Sequence, residues 1–213
     1  MTAAFYAVIR AIVAGFCRVF WRLSIEGREH LPATGPFILS PVHRSNIDTP
    51  LAACVTTRRM RFMGKKEMWK IAPLGKVFTA LGAFPVNRGT ADREALRTCI
   101  DVLKNGEPLV LFPEGTRRSG PVVEELFDGA AYVATKAGVP IVPVGIGGSE
   151  GAMPKGAKFI KPVKVHMVIG PPLRPETGEG GKVSRSAMRD LTVRLQAELQ
   201  RLYDDAQKKA GAS

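Results

Sequence analysis

Hydrophobic positions recur along this chain in two rhythms. Short apolar runs at residues 37–39, 61–63, 83–86, 109–112, 141–146 and 163–169 read as strands, the last alternating with a two-residue period. Elsewhere the spacing turns helical. Residues 91–104 and 129–137 predict helices, and over 184–208 Met188, Leu191, Leu195, Leu199 and Leu202 line up as one apolar stripe. Strands alternating with helices predict an α/β fold: a single-domain sandwich with a mostly parallel central sheet flanked by helices. The Pro/Gly-rich stretch 170–182 reads as a loop before the last helix, because too little chain follows it for a second domain.

The first 23 residues follow a helical period of their own. Phe5, Val8, Ile9, Ile12, Val13, Phe16, Val19, Phe20 and Leu23 fall on one broad face, and Arg10, Arg18 and Arg22 gather with Ala7, Ala11, Ala14 and Gly15 on the other. A secretory signal fits poorly, since no Lys or Arg precedes the apolar stretch and no A-x-A site follows. A membrane span fits poorly as well, because each arginine near the bilayer centre costs ~2.5–3.5 kcal/mol. Two placements stay open. The helix lies in a lipid interface as a peripheral anchor, or it packs against the sheet as an ordinary terminal helix. Residues 58–70, which mix Met, Phe and Trp with arginines and lysines, carry the same choice between anionic headgroups and water.

Composition narrows the partners. Of 213 residues 45% are hydrophobic, which excludes a disordered chain. Lys and Arg number 31 against 19 Asp and Glu, a formal net charge of +12 that attracts nucleic acid, anionic lipid or phosphate-bearing substrates. Only 7% of residues are aromatic, and no helix is densely basic, which argues against nucleic acid. Cys17, Cys54 and Cys99 are odd in number, far apart and without a C-x-x-C pair, so they predict neither a disulfide framework nor zinc, and fit a reducing compartment. No clustered His, Cys and Asp spacing suggests a metal.

The chemistry-bearing residues sit where predicted strands end. After the first apolar run comes His43-Arg44-Ser45-Asn46-Ile47-Asp48, followed by Thr49-Pro50. Proline favours a helix's first turn, so Asp48 is expected at a helix start with His43 in the bend before it. That bend lets the carboxylate hold one imidazole nitrogen while the other faces a cleft beyond the strand end, the arrangement a general base requires. His30 and His166 lack a carboxylate at similar spacing, and read as a surface-turn residue and a strand residue. A second strand end carries Phe112-Pro113-Glu114-Gly115-Thr116-Arg117. Gly115 permits close backbone approach, Thr116 offers a hydroxyl, and Arg117 a fork suited to phosphate. A third, Gly82-Ala83-Phe84-Pro85-Val86-Asn87-Arg88, again ends on an arginine. The G-x-S-x-G stretch at 147–151 suggests a hydrolase elbow, but Pro154 and Gly156 follow where a helix should run.

These blocks resemble the 1-acyl-glycerol-3-phosphate acyltransferases, the PlsC-like family of glycerolipid enzymes. HRSNID is similar to the family's H-x-x-x-x-D block, GAFPVNR to its G-x-x-F-x-x-R block, LFPEGTR to F-P-E-G-T-R, and residues 139–144 to V-P-I-V-P-V; all four stand in the family's order. Val42, Asn87 and the additional Arg118 depart from the usual pattern. The resemblance implies an O-acyltransferase that moves a fatty acyl group from acyl-CoA or acyl carrier protein to lysophosphatidic acid, giving phosphatidic acid. Sister reactions on glycerol 3-phosphate, another lysophospholipid or a glycolipid are the alternative. It implies His43 and Asp48 as the catalytic pair, and Arg88, Glu114, Gly115, Thr116 and Arg117 as binders of the acceptor's glycerol phosphate. The acyl thioester is a co-substrate, and neither cofactor nor metal is implied. It also implies residues 1–23 as a membrane-anchoring helix, 24–213 as the acyltransferase domain, and a place on the cytoplasmic face of the cell membrane.

Overall fold

In a computed structural model, which describes residues 3–86, 93–176 and 184–212, seven strands form one sheet in the order β1-β7-β6-β2-β5-β3-β4. They span Ser24–Glu26 (β1), Ile38–Pro41 (β2), Arg61–Lys65 (β3), Ala83–Val86 (β4), Leu109–Val110 (β5), Ile141–Gly147 (β6) and His166–Ile169 (β7). Every pairing is parallel except β6 with β7, which run antiparallel from Val144↔Ile169 to Gly147↔His166. The α/β sandwich with a mostly parallel sheet is therefore the architecture observed. β2 and β6 are buried at every position, as strands covered on both faces must be.

Two strands are shorter than their apolar runs. β5 stops at Val110 because the chain turns into Pro113, which has no N–H to offer a ladder. The run before β7 leaves the sheet to meet the N-terminal segment, with Val165 N–H donating to Trp21 O at 2.9 Å. β1, three residues long, carries no periodic signal and joins the sheet through β7. It also gives buried His166 two partners: Ser24 Oγ lies 2.6 Å from Nδ1, and Glu26 Oε1 lies 3.1 Å from Nε2.

Helices cover both faces. These are α1 (Ala3–Phe20), α2 (Asp48–Ala53), α3 (Ala72–Ala80), α4 (Arg93–Lys104), α5 (Gly129–Ala137), α6 (Ser149–Ala152) and α7 (Arg185–Ala210). The stripe on α7 buries Leu191, Leu195, Leu199 and Leu202, and Ser184 Oγ caps the helix by accepting Ala187 N–H at 3.0 Å. α7 lies directly on β6. A Cβ at Gly145 would stand 2.2 Å from Leu202 O, and one at Gly147 would stand 2.1 Å from Ala206 O. Both glycines are thus demanded by backbone-to-backbone packing.

α1 docks along one edge of its apolar face, where Val13 and Phe20 are half-buried against the core. Tyr6, Ala14 and Cys17 are buried, together with Trp21 just beyond the helix, whereas Phe5, Val8, Ile12, Phe16 and Val19 remain exposed, Val19 at 81%. Tyr6 accepts Met60 N–H at 3.3 Å, and Arg10 donates to Thr56 O at 3.3 Å. Of the small residues on the cationic side, only Ala14 is buried, and Ala7, Ala11 and Gly15 are exposed. Among the described residues no helix is long and apolar enough to cross a membrane.

Candidate active site

β2 and β5 are parallel neighbours, so the segments that follow them emerge side by side at the sheet's carboxyl end. After β2 the chain bends through His43 to Ser45 and enters α2 at Asp48, whose Oδ2 gathers three donors. Arg44 N–H and Ser45 N–H each donate at 2.7 Å, and His43 Nδ1 lies at 3.1 Å. Two main-chain bonds thus fix the carboxylate, and the carboxylate fixes the imidazole. The His43 ring also stacks on Phe112, centroids 4.0 Å apart and planes 24° from parallel. With Nδ1 engaged, Nε2 has no protein partner among the described residues; His43 is only 8% exposed. A histidine held through one nitrogen, with the other available, is arranged to take and return a proton.

The segment after β5 wraps the same histidine. Glu114 Oε2 accepts His43 N–H at 2.7 Å, and Arg118 N–H donates to His43 O at 2.9 Å. Residues 115–117 bridge these two tethers and are held beside the imidazole's backbone. Gly115 adopts φ 66, and a Cβ there would meet the Phe127 ring at 2.9 Å, so both conformation and space call for glycine. Thr116 is exposed and Arg117 half-buried. Arg118, the residue outside the family pattern, pairs with Glu124 at 2.9 Å.

Glu114, expected beside the acceptor's phosphate, is engaged within the protein in this structure. Its side chain is fully buried, and both oxygens are taken: Arg44 Nη1 donates to Oε1 at 2.6 Å and to Oε2 at 2.8 Å, beside the His43 N–H. Through Oε2 Glu114 holds the His43 main chain. The expected Arg88 lies outside the described residues, as does Asn87. β4, which leads to them, ends at the same edge as β2 and β5.

Arg44 is the residue that pattern reading passed over. It is fully buried, donates to Gly120 O at 3.2 Å, to Val122 O at 3.0 Å and to His43 O at 3.3 Å, and lies 5.0 Å from the Tyr203 ring centroid. Burial works against its charge, yet the Glu114 carboxylate, with help from Tyr203, leaves its pKa raised. One guanidinium therefore ties together the His43 bend, the Glu114 turn, the 120–122 loop and α7.

The hydrolase alternative has no such assembly. Ser149 opens only the four-residue α6, is 1% exposed, and its Oγ has no partner among the described residues, while His166 is engaged by Ser24 and Glu26. A cavity of about 560 Å³ lies at the β1–β7 edge, lined by Glu26, His30, Arg201 and Lys209 among others, and shares no residue with the His43 site.

A family model described as Acyltransferase matches residues 22–147, more than half of the chain, and spans both histidine-holding segments. The chain belongs to the acyltransferase family. Among its relatives, the 1-acyl-sn-glycerol-3-phosphate acyltransferase of Bacillus subtilis is 30% identical over 71% of this chain and 73% of that protein. The one from Streptococcus pneumoniae is 30% identical over 96% and 75%. The chloroplastic LPAT1 of Arabidopsis thaliana is 30% identical over 66% of this chain, which spans only 40% of that larger protein. Among solved structures, the LPA acyltransferase PlsC of Thermotoga maritima aligns with a TM-score of 0.74 at 28% identity, covering 92% of this acyltransferase and 80% of that chain.

Proposed function

We propose that this acyltransferase acylates the free hydroxyl of 1-acyl-glycerol 3-phosphate with a fatty acyl thioester, forming phosphatidic acid. The observation that carries the reading is the His43–Asp48 contact at 3.1 Å within a bend that Glu114 and Arg118 brace. His43 Nε2 accepts the proton of the acceptor's hydroxyl as its oxygen attacks the thioester carbonyl. Asp48 stabilises the imidazolium that forms. The tetrahedral intermediate collapses with loss of the C–S bond, and the imidazolium returns its proton to the departing thiolate. The acceptor's alcohol is the nucleophile, so the reaction asks for no acyl-enzyme. Thr116 and Arg117, with Arg88 beyond β4, hold the acceptor's phosphate, and Gly115 lets the backbone approach it.

The test is purified enzyme with a panel of acceptors and donors, thiol release being followed and the product's acyl position read by mass spectrometry. Lysophosphatidic acid is expected to be the preferred acceptor, and acyl-CoA and acyl carrier protein are compared in the same panel. Arg117→Ala is expected to raise the acceptor's KM by at least ~10-fold with little change in the thioester's KM. Preference for glycerol 3-phosphate or another lysolipid would assign a sister reaction, and equal effects on both substrates would remove Arg117 from the phosphate site.

The same reading gives the uncovered face of α1 a role. Phe5, Val8, Ile12, Phe16 and Val19 enter the acyl boundary of the cytoplasmic leaflet, where lysophosphatidic acid resides, and exposed Met68, Ile71, Leu74 and Val77 offer further apolar surface. Because Tyr6 and Cys17 belong to the core, deletion of α1 would confuse docking with folding. Serine at Val8, Ile12, Phe16 and Val19 together is the cleaner change. It is expected to lower co-sedimentation with anionic vesicles by ~10-fold or more while the thermal midpoint stays within a few degrees. Undiminished co-sedimentation would exclude this face as the anchor.

A further inference from the structure

The chain between α6 and β7 folds into a closed loop that the proton-transfer chemistry does not use. Lys161 N–H donates to Ala152 O at 2.8 Å and ties the loop at its neck, and Ala157 N–H donates to Pro154 O at 3.0 Å within it. The loop turns its two large apolar side chains outward. Phe159 is 83% exposed, and Ile160 is exposed beside it. Lysines flank them on both sides, with Lys155, Lys158 and Lys161 all exposed. No Asp or Glu occurs from position 151 to 175, so the segment carries no acid of its own to neutralise them.

Hydrogen bonds at its two ends fix where the loop sits. Ser45 Oγ donates to Met153 O at 2.8 Å, so the loop begins against the bend that holds His43. At the other end the Trp21 indole N–H donates to Lys161 O at 3.0 Å. The Trp21 ring also meets Phe16 and Phe20 edge-on, with centroids 5.3 and 5.7 Å away. One buried indole therefore joins the loop to α1, whose Phe16 and Val19 are exposed. An aromatic and an aliphatic side chain set among lysines match the two layers of a leaflet, acyl boundary below and phosphates above. An acidic protein would satisfy the lysines, but it would not account for the continuity with the apolar face of α1.

We propose that residues 154–161 are a second lipid-contact element. Phe159 and Ile160 enter an anionic bilayer beside α1, while Lys155, Lys158 and Lys161 bind headgroup phosphates. The inference rests on the reading that this enzyme meets its acceptor at a membrane, and it adds what α1 does not settle. A single helix lying in an interface is free to roll about its axis. A second contact away from that axis stops the roll, and because the loop adjoins Ser45 it holds the His43 bend near the leaflet.

Phe159→Cys, labelled with the environment-sensitive fluorophore NBD, reads insertion directly. Cys17, Cys54 and Cys99 are buried, so the introduced thiol is the accessible one. With vesicles of phosphatidylcholine and phosphatidylglycerol, NBD emission is expected to rise, shift to the blue and be quenched by spin-labelled acyl chains. Phe159→Ser with Ile160→Ser is expected to lower co-sedimentation with these vesicles at least ~5-fold. The thermal midpoint should stay within a few degrees, since both side chains are already exposed. Glutamine at Lys155, Lys158 and Lys161 together is expected to cost at least ~10-fold on anionic vesicles and little on pure phosphatidylcholine. NBD emission that does not change on vesicles that sediment the protein would overturn the proposal and leave α1 as the anchor. A parental chain that stays in the supernatant would remove the membrane reading and this proposal with it. Lysine changes that slow transfer from acyl carrier protein while vesicle binding stays intact would assign the loop to an acidic protein, and would overturn the proposal as well.

Discussion

Replacing His43 with alanine is expected to slow acyl transfer by ~100–10,000-fold while the thermal midpoint moves by only a few degrees. The histidine's main chain, not its ring, carries the bonds to Glu114 and Arg118, and those bonds persist in the variant. Residual turnover measures what positioning of the two substrates supplies without proton transfer. Asp48→Asn is expected to fall nearly as far in kcat for a different reason. The amide keeps one oxygen for the Arg44 and Ser45 N–H groups, but it removes the negative charge opposite the imidazolium. Its NH2 would also fall near the place of Oδ1, which is buried and has no partner among the described residues. A buried donor without an acceptor costs about 1–3 kcal/mol, so Asp48→Asn is expected to lose stability that His43→Ala retains. Thiol-release kinetics beside thermal melts separate the two variants. His43→Ala with more than a tenth of parental kcat would remove the imidazole from the chemistry.

What sequence alone makes legible here depends on how local each cause is. β4, α5 and the start of α2 follow from apolar runs bounded by Gly or Pro, and the His43–Asp48 contact follows from the Pro50 signal that begins a helix at Asp48. The orientation of Glu114 does not follow, because its partner Arg44 stands 70 residues away and only the β2–β5 pairing brings them together. β1 is too short to show a period and acquires its place from β7. α1 docks through Tyr6, Ala14 and Cys17, with Val13 and Phe20 half-buried beside them, whereas hydropathy marks a broader face whose Val8, Ile12, Phe16 and Val19 stay exposed. Local patterning therefore fixes the elements, whereas which buried charge meets which is a property of strand order.

The Arg44–Glu114 pair is expected to give the largest effect on stability. Arg44→Met leaves the Glu114 carboxylate fully buried without its countercharge, a loss of about 3–5 kcal/mol, and removes the donor to Val122 O, while Gly120 O keeps the Tyr203 O–H. Against a typical total of about 5–15 kcal/mol, that change is expected to lower the thermal midpoint steeply and to yield little soluble protein. Glu114→Gln is milder, since an amide oxygen still accepts the His43 N–H or an Arg44 donor, though not with the same strength. Arg44→Met combined with Glu114→Gln removes both charges and is expected to recover part of the stability lost by Arg44→Met, a coupling that a double-mutant cycle reads directly. Kinetics then distinguish support from substrate contact. If Glu114 acts through His43, Glu114→Gln lowers kcat and leaves the acceptor's KM near the parental value, the opposite of the split expected for Arg117→Ala. A raised acceptor KM with unchanged kcat would instead return Glu114 to the phosphate site, and would mean that the interior ion pair opens when the acceptor binds.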